Sequence, residues 1–79
     1  MRYAVIDLET TGFSPTTDRV VEAACVLVEQ GAITRTWSSL VNPGRAIPEY
    51  ATRVHGITDA DVRNAPRFEF VQRQLFKMC

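Results

Sequence analysis

An apolar run from Val20 to Glu29, closed by Gln30-Gly31 and followed by the alternating segment Ile33 to Val41, restricts this chain more than any other feature. β-branched residues fill the run, and a short turn between it and an alternating segment is hairpin chemistry. Two antiparallel strands are therefore expected, the second with one solvated face. Tyr3 to Leu8 is a shorter run of strand formers that stops at Thr10-Thr11-Gly12, which predicts a first strand ending in a turn. Ser14 to Asp18, with Pro15 and several hydroxyl residues, reads as the loop that leads into the second strand.

Asn42-Pro43-Gly44 ends the sheet region, since each residue favours a turn for its own reason. Pro48 fits the first position of a short helix running to about His55, with Gly56 placed to end it. Thr58-Asp59-Ala60-Asp61 resembles a capping box and predicts another helical turn. After Ala65-Pro66, the residues Phe68, Val71, Leu75 and Met78 recur at steps of three and four, one face of a helix that runs to the end of the chain. Little chain is left for that face to pack upon. With 79 residues, one domain of marginal stability is the most this length supports.

Nine basic against nine acidic residues give no net charge, and 46% of the residues are hydrophobic. This balance excludes a disordered or low-complexity chain and removes the bulk electrostatic sign of a nucleic-acid binder. It leaves open an enzyme whose metal-site carboxylates offset basic residues. The longest mostly apolar stretch, Val20 to Val28, is interrupted by Glu22 and is far too short for a membrane span. No cleavable leader pattern follows Met1-Arg2, so a cytoplasmic protein that does not engage a membrane is expected. Cys25 and Cys79 show neither metal nor disulfide-framework spacing. Cys25 reads as a small core residue, and Cys79 is given no role.

Asp7 and Glu9 stand two residues apart on the first strand, so both carboxylates share a face, about 7 Å apart at Cα. Ending a buried strand on two acids is costly unless a cation or donors satisfy them. As hard oxygen ligands they suit Mg²⁺ or Mn²⁺. The plain alternative is a solvated strand end. Thr10 and Thr11 either close the strand or offer N–H groups and hydroxyls to a ligand. His55, the one histidine, either favours the helix C-terminus or borders a site. Trp37, Tyr3 and Tyr50 are expected in core or half-buried packing rather than stacked on bases. Arg35, Arg45, Arg63 and Arg73 are expected on a solvated surface, and Glu22 is read as structural.

The segment Val5-Ile6-Asp7-Leu8-Glu9-Thr10-Thr11-Gly12 resembles the first motif of the DEDD 3′-to-5′ exonucleases, which include the proofreading epsilon subunit of DNA polymerase III. Arg19-Val20-Val21-Glu22-Ala23-Ala24, Val41-Asn42-Pro43-Gly44, Val54-His55-Gly56-Ile57-Thr58 and Ala65-Pro66 follow in that family's order. The resemblance implies an α/β, ribonuclease H-like exonuclease fold of which residues 1–79 form an incomplete N-terminal portion, three antiparallel strands plus helices. It implies Asp7 and Glu9 as catalytic metal ligands for a pair of Mg²⁺ or Mn²⁺ ions hydrolysing 3′-terminal phosphodiesters of DNA or RNA. It further implies Thr10, Thr11, Gly12, His55 and Ile57 as substrate-binding residues, a single-stranded nucleic acid 3′ end as partner, and association with a DNA polymerase. The family also uses a third and a fourth carboxylate and a histidine from an H-x-x-x-x-D motif, and no such motif occurs among these residues. The first strand is therefore expected at an unfinished sheet edge, and the chain is expected to be inactive alone. A non-catalytic nucleic-acid or protein interaction fragment is the alternative.

Overall fold

Three strands precede three helices: β1 (Arg2–Thr10), β2 (Val20–Glu29), β3 (Ala32–Leu40), α1 (Glu49–His55), α2 (Asp59–Val62) and α3 (Phe68–Met78). This computed structural model describes residues 1–14 and 16–78; Pro15 and Cys79 lie outside the described residues. The strands form one antiparallel sheet in the order β1-β2-β3. Each element falls where the sequence pattern places it, with β1 extending one residue before and two beyond the Tyr3 to Leu8 run. At the hairpin tip, Gln30 and Gly31 both have positive φ, 52° and 80°. Two successive left-handed residues match the natural twist of paired strands.

The period of two on β2 decides how the layers assemble. Val21, Ala23, Cys25 and Leu27 are buried, while the residues between them are only half-buried up to Val26. α3 lies on that buried face: Leu75 and Met78 pack with Cys25 and Leu27, and Val71 packs with Ala23 and Val41. The expectation that the α3 face has little to pack upon is thus corrected, because the helix folds back over β2. Trp37 is half-buried between these two clusters. Cys25 is fully buried, as expected of a core residue, and does not stand as a free thiol.

The segment around α1 and α2 closes the end of the sheet. Ile47, Ala51, Ile57 and Val62 gather around Val21. Pro48 sits one place before the first helical residue, and Gly56 ends α1 with φ 77° and its N–H on the Thr52 carbonyl, a conformation that favours glycine. Thr58 and Asp61 form the expected reciprocal capping box. The hydrogen bonds from Thr58 hold the Asp61 carboxyl below its usual range. Asn42 accepts from the Gly44 N–H at 2.9 Å, so the turn after β3 is built on its side chain.

β1 departs from the sequence reading. Its apolar residues suggest a buried strand, yet Tyr3, Val5, Ile6 and Leu8 are 51%, 51%, 50% and 44% exposed. They lie on both faces of a strand whose outer edge is unpaired among the described residues. The expectation of an unfinished edge is met, and the expectation of half-buried packing for Tyr3 is not.

Candidate active site

Asp7 and Glu9 lie on β1 in continuous register with β2, so the strand alternation keeps them on one face with Tyr3 and Val5. Leu8 and Ile6 pair with Ala23 and Cys25 and so belong to the face that α3 covers. The two acids are on the opposite face. Glu9 stands directly across from Glu22, a pairing of like charges that is destabilising without a compensating cation or solvent. Glu22, read as structural, is therefore a neighbour of the acids. Among the described residues no group of three His, Cys, Asp or Glu side chains is placed to hold a metal ion together. Asp7 and Glu9 supply the hard oxygen chemistry that Mg²⁺ or Mn²⁺ takes, as a partial ligand set.

The register slips between Glu9 and Thr10, and the chain turns sharply. Thr10 Oγ1 donates to the Gly12 carbonyl at 2.5 Å and receives the Gly12 N–H at 3.3 Å. Thr11 is fully buried. Its hydroxyl donates to Asp18 Oδ1 at 2.7 Å and accepts from the Arg19 N–H at 3.0 Å, while its own N–H bonds the Arg19 carbonyl at 2.8 Å. Of the two roles open to Thr10 and Thr11, closing the strand or meeting a ligand, their hydroxyls and the Thr11 N–H take the first, being engaged within the turn. This tract is a preformed wall.

Asp18 is the hub of that wall. Besides Thr11 it accepts the Ser14 N–H at 2.9 Å and pairs with Arg45 at 3.2 Å. These contacts, the Thr11 hydrogen bond foremost and the Ser14 N–H next, lower its pKa against the opposing effect of desolvation. Arg45 also donates to the Thr17 carbonyl at 2.8 Å and so ties the loop; it is exposed, as are Arg35, Arg63 and Arg73, in line with expectation. A Cβ at Gly12 would lie 2.5 Å from both Asp18 Oδ2 and the Tyr50 hydroxyl, so any larger residue there has to displace those two side chains.

His55 joins α1 to the end of β1. Its Nδ1 accepts the Ile57 N–H at 3.0 Å, which assigns the proton of the neutral ring to Nε2, and Nε2 donates to the Thr10 carbonyl at 3.1 Å. Ile57 points into the core beside Val21 and Val62, so its side chain does not line the site. A shallow pocket of about 190 Å³ remains between Glu9, Thr10 and Gly12 on one side and Tyr50, Val54 and His55 on the other. Phe13 stands at its mouth, 92% exposed, and Tyr50 is half-exposed rather than in the core. Sequence reasoning missed Phe13, whose one signal is a large aromatic directly after the Thr-Thr-Gly turn. A larger open cleft of about 620 Å³ lies beyond the loop, between Arg19, Asn42, Arg67 and Glu69, and touches none of the candidate residues.

A half-sheet of ribonuclease H-like form with two acids at the end of its first strand defines the class. The exonuclease family of RNase T type matches residues 4–79, and the chain belongs to that family. It is 38% identical over 78 residues to the 3′-5′ exonuclease DinG of Bacillus subtilis, covering 98% of this chain and 8% of that protein. It is 45% identical over 69 residues to the DNA polymerase III subunit epsilon of Aquifex aeolicus, covering 87% of this chain and 34% of that one. Among solved structures it is similar to exonuclease X in complex with 5′ overhanging duplex DNA, with a TM-score of 0.83, 38% identity, and coverage of 91% and 42%. The chain thus spans less than half the length of each of these relatives. No helix among the described residues is long and apolar enough to cross a membrane.

Proposed function

We propose that these residues carry the N-terminal half of a 3′-to-5′ exonuclease centre acting on the 3′ end of single-stranded DNA or RNA. The observation that carries this reading is that Asp7 and Glu9 share one face of β1 and that Glu9 also edges a pocket lined by the exposed rings of Phe13 and Tyr50. Asp7 and Glu9 hold Mg²⁺ or Mn²⁺, which in two-metal phosphodiester hydrolysis supplies charge neutralisation at the attacking and leaving oxygens. Phe13 and Tyr50 offer ring faces to the terminal bases, a sequence-tolerant contact. Gly12 lets the chain pass close to the nucleotide, and Thr10, Thr11 and His55 keep the wall in place through the bonds described above. Ile57 acts through its backbone N–H on His55. As in the polymerase III relatives, a DNA polymerase is the fitting larger assembly.

Two carboxylates hold a hydrated ion weakly without further ligands, so the 79 residues alone bind a 3′ end with a cation and do not turn over. The second reading is a non-catalytic nucleic-acid or protein interaction fragment. The two are separated by titrating a fluorescent single-stranded oligonucleotide with and without Mn²⁺. The exonuclease reading expects tighter binding with Mn²⁺, loss of that gain in Asp7→Asn, and weaker binding when the 3′ end is blocked by phosphate. Binding indifferent to Mn²⁺ and to the 3′ end would sink it.

A further inference from the structure

We infer that the open cleft between the β1–β2 loop, the turn after β3 and the start of α3 binds the phosphate backbone of a nucleic acid through Arg19 and Arg67, as a contact separate from the pocket beside Glu9. Segments 18–20, 42–43 and 67–69 line this cleft of about 620 Å³. On one wall the Asn42 N–H donates to the Pro66 carbonyl at 2.8 Å, Asn42 Nδ2 donates to the Arg63 carbonyl at 3.2 Å, and a parallel bridge pairs Asn42 with Arg67. On the other, Thr11 holds both the Asp18 carboxylate and the Arg19 N–H. The two walls are joined by the Val41 N–H on the Val21 carbonyl at 2.8 Å and by Arg45 on Asp18 at 3.2 Å. The cleft is thus bounded by internal segments fixed to one another, and its shape exists before any ligand arrives.

Four charged side chains line the cleft, and only Asp18 has its charge matched, by Arg45. The Arg67 guanidinium has no hydrogen bond or ion pair among the described residues, and that of Arg19 has only the Asp18 carbonyl at 3.5 Å. Both side chains are exposed. Glu69 stands in the first turn of α3, where the positive helix end favours a carboxylate, and it pairs with neither arginine among the described residues. Arg67 reaches across the turn because Gly44 has no side chain: a Cβ there would fall on Arg67 Nη1. Each arginine therefore turns to the cleft a planar fork of unused N–H donors, which matches the oxygens of a phosphate.

The surroundings select a nucleic-acid strand over a free anion. The cleft is open, and the half-buried Phe68 lies on its wall beside the guanidinium groups, the combination of ring surface and backbone charge that suits single strands. It also backs onto the pocket beside Glu9. Thr11, which bonds Asp18 and Arg19 of the cleft, lies between Thr10 and Gly12 of the pocket. One layer of chain separates the two, so a strand whose end sits in the pocket is long enough to meet the cleft. With zero net charge there is no overall field to draw a polyanion in, and local arginine contacts carry the salt-dependent part of the affinity. The inference rests on the nucleic-acid part of the proposed function and adds a contact that needs neither a 3′ end nor a metal ion.

The test is titration of a fluorescent single strand of about 12 nucleotides with the 79-residue chain over a salt series, with circular dichroism to confirm the fold of each variant. Arg19→Ala and Arg67→Ala are each expected to weaken binding about fivefold and to lower the slope of log affinity against log salt by about 0.7, the share of one phosphate on a single strand. Arg67→Lys keeps the charge without the fork, so it should keep the slope and recover only part of the affinity. Arg35→Ala removes an exposed arginine across from Leu27, near the hairpin tip, and should change neither. The losses should be equal with and without Mn²⁺ and for free and blocked 3′ ends, whereas Asp7→Asn removes only the gain from Mn²⁺. Variants that bind like wild type while that gain persists overturn the cleft and leave the exonuclease reading standing. Losses in both variants with no effect of Mn²⁺ or of the 3′ end do the reverse. A strand that does not bind at all overturns both, and inorganic phosphate that competes as well as the strand, phosphate for phosphate, overturns the cleft as a nucleic-acid contact.

Discussion

Leu75→Ala is expected to remove most of the cooperative stability of this chain. Leu75 is buried between Cys25, Leu27 and Met78, under the half-buried Trp37, and this contact is where α3 meets the hairpin. Truncating a buried leucine to alanine costs about 2–5 kcal/mol, the lost transfer energy together with the cavity left behind. A chain of 79 residues at about 0.05–0.15 kcal/mol per residue has only about 4–12 kcal/mol in total. The exposed apolar surface of β1 keeps this chain toward the lower end of that range. Urea unfolding followed by circular dichroism should show the midpoint of Leu75→Ala collapsing toward zero denaturant. Phe76→Ala is the control one residue along the same helix. Phe76 is 69% exposed, so its loss should change stability by no more than about 0.5 kcal/mol. If the two variants melt alike, α3 does not anchor the fold through this face.

The position of Leu75 was legible in the sequence because α3 carries its own period, and that period marks the buried side whatever lies beneath it. The same holds for β2, where alternation fixes which residues turn inward. β1 was misread for the opposite reason. Hydropathy records what a strand would bury given cover on both faces, and it carries no information on whether the cover is there. Asp7 and Glu9 were placed correctly on one face by period alone. Glu22 across from Glu9 was not, because that juxtaposition depends on a register set through the loop between β1 and β2, which has no period. The bond from Thr11 to Asp18 spans that loop too. Two polar residues seven apart give no pattern to read, so the sequence leaves Thr11 open to either a turn or a ligand, and only the structure shows its hydroxyl engaged with Asp18.

Thr11→Val should expose how much that loop rests on one hydroxyl. Valine fills nearly the same space but neither donates to Asp18 nor accepts from the Arg19 N–H. Leaving the Arg19 N–H unpaired in a partly buried place costs up to about 1 kcal/mol, the low end for an unsatisfied donor, and hydrogen exchange at Gly12 and Ser14 should accelerate as the wall loosens. The partner carboxylate adds a dependence on pH. Asp18 has its pKa lowered from 3.8 by Thr11, Ser14 and Arg45, so between the folded value and 3.8 the unfolded chain binds more protons than the folded one. Stability therefore rises with pH across that window, is fully present above it, and is lost as pH falls through the folded value. Asp18→Asn should lower stability at pH 7 and flatten the acid limb of the stability curve below pH 3.8. Some slope of the same sign should persist from Asp61, whose pKa is lowered by Thr58. Urea midpoints of wild type and Asp18→Asn, taken in steps from pH 7 down to pH 3, check both parts. Curves that stay parallel over the whole range would mean that the Asp18 charge does not hold the loop.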